Sequence, residues 1–336
     1  MKAFKNLSFV IGFSFIALIL GGSLVYGWVY GEAIPVVPLK FGEEGAMKPP
    51  YGPMDHLPFG TNALGQSMFL VMVVGAKFTL GIAFLVAFLR FGLSAFIGTV
   101  MTLYVPKFTA WIRPFLQTFY YYPITLLAFM MLYWVLFEDS LMGGEFSYSF
   151  SARILIELAV LTLAAVPIST LIVSNEVKDI MKQEFMESVQ VLGGNRRHIL
   201  RKHLLPFLKP RFVVLFLREA IQVLVLLSHL GILGIFFGGG APKEDIFGNV
   251  VIASLSNEWS GLIGKDFKYL FTTYTWIPFV PILFLTLAII ALKLMVEGYQ
   301  EAHGGVGVKR KEAPIAEDNS RLNGKGDFER VDRKIG

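Results

Sequence analysis

Six stretches of this chain are too long and too apolar to be core helices of a soluble domain. They run from Leu7 to Tyr30, within 71–104, and over 111–137, 152–174, 212–237 and 273–296. A helix needs about 20 apolar residues to cross a bilayer, and each stretch meets or exceeds that. Charged residues make up 16% of the chain, against about 25% in ordinary soluble domains. The fold expected is therefore an all-α integral membrane protein with six transmembrane helices. Lys2 and Lys5 precede the first run as in a signal peptide. That run is longer than the roughly 7–15 residues of a cleavable apolar region, and no small-x-small site follows, so residues 1–30 read as an uncleaved helix. There are no cysteines, which excludes disulfides, thiolate metal sites and cysteine nucleophiles.

Lysine and arginine set the expected orientation. With the N-terminus inside, twenty fall in inner segments and five in outer ones. Cytoplasmic loops carry the excess, so both termini are expected in the cytoplasm. The chain then divides into a first helix (1–30), an extracytoplasmic loop rich in Pro and Gly (31–68), a membrane body (69–300) and a tail (301–336). The tail alternates charges with Gly and Asn, and reads as disordered. The second run, at 71–104, is long for one perpendicular crossing, which implies tilt or an interfacial end.

A charged segment interrupts the membrane body on the expected inner face. Val177, Met181, Phe185, Val189 and Leu192 recur at intervals of 4, 4, 4 and 3, one stripe of an amphipathic helix over 175–192. Lys178, Lys182, Gln183 and Gln190 fall off that stripe. Gly193 and Gly194 allow a sharp turn at positive φ. Asn195 is placed to cap a second short helix over 196–204, and Pro206 is expected to reset the chain before the fifth run. Arg196, Arg197, Arg201, Lys202 and His203 make this segment basic. By itself it could rest on lipid headgroups.

The spacing adds more. Glu187-Ser188-Val189, then Gly193, then Leu205-Pro206 resembles the pattern E-A-A-x3-G-x9-I-x-L-P of the membrane subunits of bacterial ABC importers. Ser188, Val189 and His203 depart from it. LPFGTNALGQSMF from Leu57, LLSHLGILG from Leu226 and LKLMVEGYQEA from Leu292 resemble, in order, segments of the oligopeptide, dipeptide and nickel class of permeases. Asn62, Gln66 and Ser67 replace charged residues of that class, and GGGAPKEDIFG lacks its usual proline-tryptophan-glycine segment.

The resemblance implies a type I importer permease with a cytoplasmic coupling-helix loop over 175–208. It implies a second homologous permease, two ABC ATPase subunits and an extracytoplasmic substrate-binding protein as partners, within membrane lipid and with no nucleic acid. The ATPase-facing residues implied are Phe185, Glu187, Ser188, Val189, Leu192, Gly193, Leu205 and Pro206. ATP and magnesium belong to the partner ATPases. Peptides are the cargo implied first, with nickel or another small solute as the alternative.

The chain itself shows no phosphate loop of the G-x4-G-K-[ST] kind; GGVGVKRK in the tail lacks its spacing. No residues are spaced as metal ligands, and His198 and His203, five apart, do not share a helical face. No catalytic or cofactor site is expected. Lys77, Arg90, Arg153, Glu157, Arg218, Glu219 and Lys293 lie within apolar runs, where charge is costly against lipid. Arg153 and Lys293 are expected to snorkel to the interface. Arg218 and Glu219 are expected to line the path or to pair with the partner permease. The aromatic cluster at 119–122 reads as packing or an interfacial belt. An intramembrane enzyme would need a convergent catalytic pair and a lone carrier often shows internal repeats; neither is visible.

Overall fold

A computed structural model of the chain describes residues 2–42, 45–137, 146–191, 193, 195–244, 248 and 250–304. Leu192, Gly194, most of the 138–150 loop and the tail from 305 lie outside the described residues. Helix α1 (Leu7–Tyr30) starts where the Asn6 side chain accepts a hydrogen bond from the Phe9 N–H at 3.2 Å. A short hairpin of β1 (Lys40–Gly42) and β2 (Gly45–Met47) follows. Next come α2 (Met68–Tyr104), α3 (Pro106–Thr118), α4 (Ile124–Leu132), α5 (Phe150–Leu163), α6 (Val166–Met181) and α7 (Glu184–Val191). The long helix α8 spans Arg196–Ile232. A second hairpin, β3 (Gly240–Glu244) with β4 (Val250–Ser254), leads to α9 (Trp259–Asp266) and α10 (Trp276–Ala302).

Four of these helices are long and apolar enough to cross a membrane, and up to six spans result if each bent pair counts as one. The third expected run, 111–137, is a bent pair: α3 with its following turn meets α4 at 83°. Tyr122 is extended at the break, as the residue before a proline prefers. The fourth run, 152–174, is also bent, by 43° between α5 and α6. Here Pro167 near the start of α6 cannot donate to the preceding turn. The Ala165 N–H turns to the Thr162 carbonyl at 3.3 Å, which leaves the Leu161 carbonyl without its usual helical partner four residues on.

Helix α2 is the centre of the body and packs against α1, α5, α6 and α8. Its outward residues, such as Leu85, Phe88 and Phe96, are exposed and apolar, as lipid requires. Small residues set the distance to α6. A side chain at Gly98 would stand 2.8 Å from the Thr170 carbonyl and 3.0 Å from Val173 Cβ. Such close approach is how membrane helices associate where burial from water gives no drive. Gly98→Ala is expected to lower stability by about 1–3 kcal/mol, the usual cost of overpacking. A lower unfolding midpoint of the detergent-purified protein checks this; an unchanged midpoint refutes the tight crossing.

Residues 238–270, between the fifth and sixth apolar runs, contain β3, β4 and the buried helix α9. Trp259 anchors α9: its indole N–H donates to the Met72 carbonyl at 2.9 Å, and its backbone N–H to Thr79 Oγ1 at 2.9 Å. Glu258, just before α9, accepts from the Phe237 N–H at 3.0 Å and from the hydroxyls of Ser254 and Ser256. Burial pushes its carboxyl above the usual range, and these donors partly offset that. The carboxylate ties hairpin, helix end and α9 together.

Candidate functional site

The 175–208 segment does fold as helix, turn and helix, with three departures from the sequence expectation. First, the amphipathic helix expected over 175–192 is two helices. Helix α6 ends at Met181, Lys182 caps it, and α7 runs from Glu184 to Val191. Second, the apolar stripe points inward. Val177 and Met186 are buried, and Phe185 and Val189 pack against a cluster built from Leu103, Val173, Ile180, Ile199, Leu204 and Leu208. The Phe185 and Phe207 rings lie 4.9 Å apart. The stripe therefore closes the chain on itself, and the face left open on α7 carries Glu184, Glu187, Ser188 and Val191. Ser188 Oγ donates to its own helix at the Glu184 carbonyl.

Third, Pro206 does not reset the chain. Residues 199–204 form a turn of π-helix, in which the Leu205 N–H reaches back five residues to the Leu200 carbonyl. The wider turn absorbs the proline's missing donor, so α8 runs unbroken from Arg196 to Ile232. The same register places residues five apart on one face. His198 and His203 thus do share a face, with ring centroids 5.5 Å apart. No group of three metal-ligating side chains occurs among the described residues.

The turn itself is as expected. Gly193 has φ +76°, and a side chain placed there would touch nothing within 4 Å. The Asn195 side chain caps the next helix by accepting from the Arg197 N–H at 3.4 Å. Three arginines brace the segment's roots: Arg196 on the Tyr104 carbonyl at 3.0 Å, Arg113 on Asn175 Oδ1 at 2.7 Å, and Arg211 in an ion pair with Glu176. Arg197, Arg201 and Lys202 stay exposed.

Sequence similarity now adds to this geometry. The profile of the family described as binding-protein-dependent transport system inner membrane component matches residues 91–303, which include the whole bent and braced segment. The chain belongs to this family. It is an ABC importer permease component, a multi-pass membrane protein. Relatives from Brucella abortus biovar 1, Brucella melitensis biotype 1 and Brucella suis biovar 1 are provisionally named peptide transport system permease proteins. Each is 23% identical to this permease over 303 residues, covering 89% of this chain and 88% of the relative.

The intramembrane charges of the permease resolve differently from one another. Glu219 and Arg218 part company: Glu219 is buried, while Arg218 is exposed on α8. Glu219 pairs within the chain, with Arg90 Nη1 at 3.7 Å, and accepts from the Ser169 hydroxyl. Glu219 thus has partners within the chain. Arg90 also donates from Nε at 2.8 Å and Nη2 at 2.5 Å to the Leu161 carbonyl, the acceptor freed at the α5–α6 bend. Arg90 therefore caps a broken helix, and Glu219 balances its charge. Arg153 does not snorkel. It is buried, with its guanidinium 3.4 Å from the centre of the Phe146 ring. Lys293 is 70% exposed and lies 3.9 Å from Glu297. Lys77 pairs with Glu32 at 2.8 Å, and Glu157 accepts from the Gly238 N–H at 2.9 Å.

Proposed function

We propose that this permease forms half of the translocation path of a peptide importer, and that its 175–208 segment couples ATPase closure to opening of that path. The observation that carries the coupling role is the segment's construction. Its apolar stripe is spent on internal packing and its roots are braced by arginines, so α7 offers an open face of Glu184, Glu187, Ser188 and Val191 for a partner to grip. The peptide cargo is supported by the names of the Brucella relatives. In this reading a second homologous permease, two ATPase subunits holding ATP and magnesium, and an extracytoplasmic binding protein complete the machine. Phe185, Val189, Leu205 and Pro206 then shape the segment, while Glu187 and Ser188 meet the ATPase.

Glu187→Arg reverses the exposed charge without touching the packed face. One charged hydrogen bond is worth about 1.5–3 kcal/mol, so ATPase recovery in a pull-down from solubilised membranes, and uptake with it, is expected to fall about tenfold or more. Wild-type recovery and wild-type uptake would reduce the segment to a surface element.

Each bent pair counts as one span in this reading, which gives six spans and places both termini in the cytoplasm. The permease has no native cysteine to mask. Met54→Cys, at an exposed position in the 31–68 loop, should react with an impermeant thiol reagent in intact cells, and Ser320→Cys should not. The reverse pattern inverts the topology. The 301–336 tail lies beyond the last family-like motif and is dispensable for transport in this scheme.

A further inference from the structure

The open side of α8 differs from those of α2 and α4. Its exposed residues Arg218, Gln222, Val225, His229 and Ile232 recur at intervals of 4, 3, 4 and 3 and so form one stripe. On the opposite side Leu217, Glu219, Ala220, Val223, Leu224 and Leu227 are buried. Among the described residues, the open faces of α2 and α4 carry only apolar side chains and glycine. The open face of α10 reaches charge only towards its end, at Lys293, Glu297 and Glu301. The α8 stripe instead holds a guanidinium, an amide and an imidazole over about 16 Å of helix at 1.5 Å per residue. His229 Nδ1 lies 3.3 Å from Thr125 Oγ1 on α4. No described residue offers Arg218 or Gln222 a partner.

Such a stripe does not suit hydrocarbon, since an unpaired arginine within a span faces a cavity or a partner. Arg218 is also the stripe's one guanidinium; its other polar side chains are an amide and an imidazole. A lone guanidinium is a planar fork that fits a carboxylate through two parallel bonds. We propose that the α8 stripe is the wetted wall of the path and that Arg218 receives a carboxylate of the passing cargo, in a peptide its C-terminal one. This rests on the peptide reading above and adds a specificity-determining residue to it.

The test uses the whole complex in proteoliposomes: this permease, its partner permease, the ATPases and the binding protein. Uptake of an alanine pentapeptide is compared with uptake of its C-terminal amide, in wild type, Arg218→Gln and Arg218→Lys. The binding protein is the same throughout, so its own preference cancels in the ratio between variants. Arg218→Gln is expected to lower the acid-to-amide ratio about tenfold by removing a charged contact, with amide uptake unchanged and Arg218→Lys in between. In the same complex, Gln222→Cys should react with a water-soluble thiol reagent while Leu283→Cys on α10 should not. An unchanged ratio overturns the proposal. So does an equal fall for both cargoes with loss of the partner permease on purification, which would make Arg218 a subunit contact. An unreactive Gln222→Cys removes the wet wall. If wild type imports neither peptide, the cargo reading itself fails and the proposal falls with it; an unchanged ratio in a working importer sinks the proposal alone.

Discussion

Arg90→Met is expected to leave little permease in the membrane. The substitution strips both donors from the Leu161 carbonyl and strands Glu219 in a buried site with only the Ser169 hydroxyl. Removing one partner of a buried ion pair costs about 3–5 kcal/mol, against a total stability of about 5–15 kcal/mol for a typical protein. The double variant Arg90→Met with Glu219→Leu removes the stranded charge and should recover much of the loss, because apolar replacement of a whole buried pair is often neutral. It should not recover all of it, since the Leu161 carbonyl remains without a donor. Immunoblots of membranes and unfolding midpoints in detergent give the two readouts. Equal stability of Arg90→Met and wild type would show that the pair carries no structural weight.

Gly193→Val should leave the membrane body folded and disable transport. Space is not the issue, because nothing lies within 4 Å of the missing side chain. The backbone is, at φ +76°. An L-residue there costs roughly 1–2 kcal/mol, and a β-branched one is a genuine outlier. The turn would relax to negative φ and swing α7 away from α8. Uptake and ATPase recovery are expected to fall about tenfold or more, with membrane levels unchanged. Gly193→Asn is the matching control, because asparagine visits this region with little penalty. It should retain most activity. If valine and asparagine behave alike, the positive φ is not what positions the helix.

The sequence made some features plain and hid others for definable reasons. The bounds of α1 follow from an unbroken apolar run, and the structure gives the same Leu7–Tyr30. The turn at Gly193 and the Asn195 cap were legible because both are local backbone chemistry. The bends at Pro123 and Pro167 were not, since hydropathy averages smoothly across a kink. The inward turn of the stripe was missed because its packing partners, Leu103 on α2 and Ile199 and Leu208 on α8, lie on other helices. Periodicity shows that a face is buried and not what buries it. Arg153 carried an apolar neighbour in Phe150 that could have hinted at its fate, whereas the Arg90–Glu219 pairing joins residues too far apart for any spacing rule. Helix α9 was obscured by its brevity, at eight residues.

The two rods that carry the 175–208 segment are mechanically unlike. On one side the π-turn spares α8 a break, so Arg196–Ile232 is a single stiff strut from the segment to the far side of the body. On the other, α5 and α6 meet at a joint with one backbone bond already given up, and Arg90 is the pin through it. If α7 is the element an ATPase grips, as proposed above, a push on it meets a continuous helix on one side and a 43° joint pinned by Arg90 on the other, so any give at that joint would depend on Arg90.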